Sequence, residues 1–399
     1  MLRRTIAAFA GTLVVVGLIA GAGAATVAAG SPPGALSIVS ASLTQDGQQL
    51  VWNVLTADPF TPSSLAAAGQ SLCLVIAQVK PVVPEGVLCV GHRGTRSHPM
   101  LYYRQIAAAG VVGRAHRIAA TVTRRNDDEL TASFLPASIG AAYRSLRWEV
   151  LSTAPAADCR TGAGCSYEMP GRPALARLHT PTLVGCVASG PSLVHGGSPK
   201  VHDIALTFDD GPWGDPPTMD FIRLLAREHV PASFFEIGDQ ISQYDPTGSV
   251  ERAMLANGDM IGDHTWTHPD MAALPPAKQR SELELTVDAI RHATGFTPCL
   301  WRPPYGDISP ELISLARSLG LLTIMWDIDP RDWSLPGVKE IIDNVTTNAQ
   351  DGGIVEEHFG GGPRYETLDA LPTEIAHLSA RGYKFVTVAQ MLGLRMIYR

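Results

Sequence analysis

The sequence predicts an α/β domain built on a parallel sheet or barrel, preceded by an all-β, sandwich-like domain. Three observations carry this. From Asp203 onward, short strand-like runs alternate with helical ones. Between Ser31 and Thr182, β-prone runs follow one another with Asp-Gly, Pro and Gly-rich turns between several of them. The residue clusters with chemical potential all fall at or just after strand-like runs of the second half, where α/β folds place their sites.

The chain begins Met-Leu-Arg3-Arg4 and then carries no charge from Thr5 to Gly30. Leu13 to Ile19 is its strongly apolar part, and Ala22-Gly23-Ala24 offers a small-x-small cleavage site. Residues 1–30 therefore read as an export signal or a retained membrane anchor. Both place the remainder in the cell envelope or outside the cell. Six cysteines agree with an oxidising compartment, and none has the C-x-x-C spacing of a structural zinc site. The expected pairs are Cys73–Cys89 across a hairpin, Cys159–Cys165 around a small loop, and Cys186–Cys299.

Residues 31–182 form the β-rich accessory domain, with runs starting at Leu36, Gln49, Leu72, Arg117 and Leu146. Trp52, Tyr102 and Tyr103 are either core aromatics or a sugar-stacking surface. The Gly/Ser/Pro-rich composition of 183–200 reads as a linker. In 201–399, strands are expected at Ile204–Phe208, Ser233–Ile237, Leu322–Trp326, Gly353–His358 and Phe385–Val388. One helix has Ser309 as N-cap, Pro310 at its first position, Leu312, Leu315, Ala316 and Leu319 on one face, and Gly320 as its stop. Leu283, Val287 and Ile290 form a second such face, and Leu371, Ile375 and Leu378 a third.

Charge is unevenly spread. Residues 31–185 carry 13 Lys/Arg against 9 Asp/Glu, whereas 186–399 carry 16 against 29. No basic stripe is available to neutralise phosphates, which excludes a nucleic-acid partner. The mildly basic first half is an ordinary solvated surface or a face for an anionic wall polymer.

The chemistry concentrates in a few residues. The run Ile204–Phe208 ends in Asp209-Asp210-Gly211-Pro212, and His264-Thr-Trp-Thr-His268 follows. Asp-Gly-Pro marks a turn after any strand, but two imidazoles four residues apart add metal-ligand spacing. Asp210, His264 and His268 would hold a divalent ion with positions left open. Zinc is the default; cobalt, manganese and nickel accept the same donors. Asp209 is the candidate base for the attacking water, with the permanently charged Arg302 as a fitting partner. His358, ending a strand, is the candidate acid.

Arg302-Pro303-Pro304-Tyr305-Gly306, Asp329-Pro330-Arg331-Asp332-Trp333 and Gly353–His358 follow the first two motifs in order. On these five signatures the chain, from about Val201 to Leu392, resembles the polysaccharide deacetylase family (carbohydrate esterase family four, the NodB homology domain). The resemblance makes 201–399 that domain and sharpens its fold to a distorted (β/α)7 barrel. It implies that the Tyr305 backbone N–H helps bind the oxyanion. It further implies that Asp332 orients His358 and that Trp333 walls the pocket.

One position departs from the family. A leucine that lines the acyl pocket is usual two residues before the final histidine; here Glu356 stands there, followed by Glu357, with Phe359 where an acidic residue is common. Strand alternation puts Glu356 on the side of His358 and Glu357 on the other. The pocket is modified, the enzyme weakened, or Glu356 turned to solvent.

The resulting expectation is an exported, metal-dependent deacetylase acting on N-acetyl groups of cell-wall glycan, with peptidoglycan as partner and acetate and free amine as products. An O-acetyl esterase on xylan or a chitin deacetylase is the alternative within the same chemistry. A non-catalytic glycan-binding protein is the alternative outside it. Membrane contact is expected only through the N-terminal segment.

Overall fold

The computed structural model describes residues 24–26, 35–79, 84–91, 98–107, 110–155, 165–214 and 217–399. The chain divides into two compact units, with the boundary between Thr182 and Leu183. Most of the expected export segment, with Ala22 and Gly23 of its cleavage site, and Cys159 lie outside the described residues.

In the first unit, one antiparallel sheet runs in the order Ala24–Thr26, Ile38–Asp46, Gln49–Thr56, Glu129–Phe134, Ala120–Thr123. A second runs Cys165–Ala176, Leu146–Ala154, Ser71–Ala77, Pro84–Gly91, Met100–Ala107, Gly110–Arg117. Alternation does the work. Leu50, Trp52 and Val54 from the first sheet and Leu146, Trp148 and Val150 from the second turn inward and share one apolar core. Trp52 and Tyr103 are buried there, so the sugar-stacking surface considered for Trp52, Tyr102 and Tyr103 does not form. Cys73 and Cys89 are register partners on adjacent strands and are bonded, as is Cys186 with Cys299.

The second unit is mixed α/β. Its main sheet comprises β1 (Leu193–Val194), β2 (Asp203–Gly211), β3 (Ser233–Glu236), β4 (Met260–Asp263), β5 (Leu300–Trp301), β6 (Leu322–Ile324), β7 (Gly353–His358) and β8 (Lys384–Phe385). They lie in the order β1-β6-β5-β4-β3-β2-β7, with β8 beside β2, and every pairing is parallel. Ile328, just past β6, bridges to Val355 of β7 and brings the two sides of the curved sheet together. β2 is buried along its whole length, as a strand covered on both faces must be.

The three helical faces read from the apolar period fall in the helices Pro276–Thr294, Pro310–Ser318 and Tyr365–Ala380. Ser309 accepts from the Leu312 N–H at 3.1 Å, Pro310 opens the helix Pro310–Ser318, and Gly320 follows it at φ +82°. Leu283, Ile290, Leu312, Ala316, Leu371 and Leu378 are buried. The linker expectation for 183–200 is corrected. Leu183–Val187 pairs antiparallel with Arg395–Tyr398, and Leu193–Val194 is β1 of the main sheet. Glycine and proline content misled there because two short apolar runs, one of them tethered through Cys186, suffice to take strand positions. Among the described residues, no helix is long and apolar enough to cross a membrane.

Candidate active site

Register assembles the site. Asp209 is the β2 partner of both Phe235 on β3 and His358 on β7, while Thr207 pairs with Glu356. One face of β2 and β7 therefore presents Thr207, Asp209, Glu356 and His358 together. The chain then breaks from β2 with Asp210 at φ +74° and a cis Gly211-Pro212 bond. Thr265, His268, Tyr305 and Arg331 also have positive φ. Among the described residues, six of the seven such non-glycine residues, Leu335 included, thus lie at or just past strand C-terminal ends, where backbone strain concentrates at functional sites.

Arg302 is fully buried and donates from Nη1 to Asp209 Oδ1 at 2.8 Å and to Thr207 Oγ1 at 2.7 Å. Its Nε donates to the Ile324 carbonyl at 3.2 Å, and its guanidinium lies 4.3 Å from the Phe235 ring centroid. This fork, clamped on all sides, fixes the Asp209 carboxylate in place.

The donor atoms of Asp210, His264 and His268 all lie within 4.8 Å of one another. His264 Nδ1 is 2.8 Å from the Arg302 carbonyl oxygen, which can only accept, so Nδ1 carries the proton. Its bare Nε2 then faces Asp210 Oδ1 at 3.3 Å, and His268 Nε2 faces the same oxygen at 3.1 Å. Asp210 Oδ1 is buried without a hydrogen-bond donor in good geometry. An imidazole lone pair aimed at a buried carboxylate oxygen calls for a cation between them, and the three side chains fit a divalent ion. The Tyr305 hydroxyl lies 3.2 Å from His268 Nδ1, and the Tyr305 ring is 69 % exposed.

His358 Nδ1 lies 2.7 Å from Asp332 Oδ1, and its backbone N–H donates to Asp332 Oδ2 at 2.8 Å. Thr367 donates to Oδ2 as well, at 2.7 Å, so the buried Asp332 is held at both oxygens. Burial presses the His358 imidazole toward its neutral form. The Asp332 charge and hydrogen bond, with Asp210 and Asp209 behind them, reverse this and raise it to about 9. Trp333 is 49 % exposed, with the Arg331 guanidinium 5.9 Å from its ring.

The structure brings together Asp209, Asp210, His264, His268, Arg302 and Tyr305, and it seats His358 on the neighbouring strand, held by Asp332 from the segment that follows β6. Glu356 does not turn to solvent: it is 7 % exposed, with a carboxylate oxygen within 4.8 Å of donor atoms of Asp209 and His358. Burial, then the Asp209 charge, raises it to about 8. Glu357 points the other way and is fully buried. Phe359 packs against Phe221 and Phe234 beneath Gly211, where a Cβ would lie 2.1 Å from its ring.

Sequence reasoning missed Thr207 and Thr367, which anchor Asp209's partner and Asp332. It also missed Gly360, whose hydrogen faces the Asp210 carbonyl where a Cβ would come within 2.0 Å. The triple glycine after Phe359 was the available signal for such close approach. Nothing marks the two threonines.

The polysaccharide deacetylase family model matches residues 196–324. A peptidoglycan-N-acetylglucosamine deacetylase of Bacillus cereus is 37% identical over 197 residues, 47% of this chain and 87% of the relative. A chitooligosaccharide deacetylase of Bradyrhizobium is 33% identical over 210 residues, 49% of this chain and 94% of the relative. The peptidoglycan-N-acetylmuramic acid deacetylase PdaC of Bacillus subtilis is 36% identical over 194 residues, 48% of this chain and 39% of that protein. With this agreement across nearly the full length of two relatives, the chain belongs to the polysaccharide deacetylase family.

Proposed function

We propose that the protein is an exported deacetylase that removes N-acetyl groups from cell-wall glycan, peptidoglycan first, releasing acetate and a free amine. In this reading the curved sheet of the second unit is the distorted (β/α)7 barrel of the family. The first unit is a sandwich-like accessory domain, outside the chemistry.

The observation that carries the proposal is the pairing of a clamped base with a charged acid across two hydrogen-bonded strands. Asp209, ion-paired with the buried Arg302 at 2.8 Å, is the register partner of His358. Asp210, His264 and His268 would hold a divalent ion, zinc by default and cobalt, manganese or nickel otherwise. When bound, such an ion polarises the acyl carbonyl and makes water a better nucleophile. Asp209 takes the proton of the attacking water, held in position by Arg302. The Tyr305 N–H stabilises the charge that develops on the carbonyl oxygen. His358, protonated at neutral pH, gives its proton to the leaving nitrogen, and Asp332 keeps the ring aimed. Trp333 offers an apolar face for a sugar ring.

The test is acetate release from peptidoglycan, chitin oligomers and acetylxylan, with and without chelator. Release of amine from peptidoglycan, abolished by chelator, is expected. Ester hydrolysis alone would reassign the substrate to acetylated xylan, and a chelator-insensitive signal would refute the site assignment. Glycan binding without acetate release would reduce the protein to a binding module.

A further inference from the structure

We propose that Glu356 makes this site select an acyl group bearing a hydroxyl on its α carbon, hydroxyacetyl being the smallest, over acetyl. The inference rests on the deacetylase reading and names its acyl substrate. A carbonyl carbon attacked from the Asp209 side, whose leaving nitrogen takes a proton from His358, must lie between those two groups. Glu356 projects from the same face of β7 as His358, and Thr207 and Asp209 are the opposite partners on β2. Its carboxylate lies within 4.8 Å of both Asp209 and His358 donor atoms. The acyl substituent therefore ends against Glu356.

Glu356 is 7 % exposed, its carboxyl oxygens keep some contact with solvent, and among the described residues it has no hydrogen-bond or ion-pair partner. Every other charged group lining this face is tied. Asp209 holds Arg302, and His358 holds Asp332. Glutamate reaches one bond further than leucine without taking up more volume, so the exchange brings a polar group to the acyl end of the pocket. A methyl group placed there strips the carboxyl of water and offers it no partner, which is costly. An α-hydroxyl donates to it, and a carboxyl oxygen accepts whether the group is charged or neutral. An ammonium in the same place is disfavoured, because the Arg302 and His358 cations already act on Glu356.

The test compares chitin-type oligomers carrying N-acetyl, N-hydroxyacetyl or N-propionyl groups. The propionyl group matches hydroxyacetyl in size and lacks only the donor. The full chain is assayed with zinc, by kcat/KM for amine release. Hydroxyacetyl should exceed propionyl by about threefold to tenfold, the usual net effect of one hydrogen bond. Glu356→Leu should reverse that order and raise acetyl turnover, whereas Glu356→Gln, which still accepts through its amide oxygen, should keep it. Melting curves establish that each variant is folded, and if the leucine variant is not, the wild-type and glutamine ratios decide alone. Equal rates on hydroxyacetyl and propionyl in the wild type, or a ratio unmoved by Glu356→Leu, overturns the inference and leaves the deacetylase reading standing. If no amine is released from any substrate by any of the three proteins, the deacetylase reading itself fails and this inference with it.

Discussion

Replacing Asp332 with asparagine isolates the acid half of the proposed mechanism. Asp332 holds His358 through Nδ1 at 2.7 Å and through its backbone N–H at 2.8 Å, and its charge and hydrogen bond are the largest influences raising the imidazole. A cation held by Asp210 would offset the carboxylates of Asp210 and Asp209, leaving Asp332 dominant. With that charge gone, burial prevails and the ring falls from about 9 to 6.5 or lower. A drop of that size corresponds to about 3 kcal/mol between the two protonation states. At pH 7.5 the protonated fraction falls from nearly all to about one-tenth, so kcat falls roughly tenfold from protonation alone. Lost ring orientation adds to this, within the roughly 100- to 10,000-fold range of general-acid catalysis. The sign for stability follows from a raised folded-state value: the pairing stabilises fully below pH 6.5 and fades as pH climbs through about 9. Wild type and variant should therefore differ most in melting temperature at pH 6 and converge toward pH 10. The decisive assay is kcat against pH on N-acetylated oligomers. An alkaline limb in the variant unmoved from the wild-type position would refute His358 as the acid.

Other perturbations address the rest of the site. Arg302→Leu leaves Asp209 buried without its cation and should cost about 3–5 kcal/mol of stability in denaturant titration as well as activity. Arg302→Lys should recover part of the stability and little of the activity, since one ammonium cannot reproduce the fork. Adding zinc to chelator-treated protein should raise the melting temperature, and Asp210→Asn or His264→Ala should abolish that rise together with zinc retained after dialysis. Replacing Cys186 and Cys299 by serine opens a crosslink spanning 113 residues and should cost about 4–5 kcal/mol, read from urea unfolding.

The site was more legible in the sequence than its setting. Asp209, Asp210, His264, His268 and Arg302 could be read because their chemistry is tied to short spacings: adjacent carboxylates after a strand, imidazoles four apart, a cation between Trp301 and prolines. Helix faces such as Leu312–Ala316 were equally plain, because period and caps agree. The edges of the fold were not. Leu183–Val187 and Leu193–Val194 are too short to show a period, and their strand partners, Arg395–Tyr398 and Leu322–Ile324, lie more than a hundred residues away. Pro84–Gly91, Met100–Ala107 and Cys165–Ala176 are strands for the same reason: neighbours in the sheet, not local propensity, decide them.

Glu357 marks the sharpest limit on that reading. Alternation along β7 correctly sends it away from Glu356, yet a period of two says only that the faces differ, and nothing about what covers the far one. Here the cover is the helix Tyr365–Ala380, and its Glu374 is buried as fully as Glu357. Burial first, then mutual repulsion and the charge of Asp332, pushes Glu357 well above the usual range. Burial and Asp332 raise Glu374 to about 8. Two such carboxyls persist side by side in an apolar interior only by keeping at least one proton between them at neutral pH. They lie behind the Asp332–His358 pair, so each proton they keep removes a competing charge and leaves Asp332 as the main one that His358 feels from that side. Glu357 and Glu374 are thus part of the acid's environment although neither reaches the substrate face, and a sequence pattern has no way to pair residues 17 positions apart on a strand and a helix.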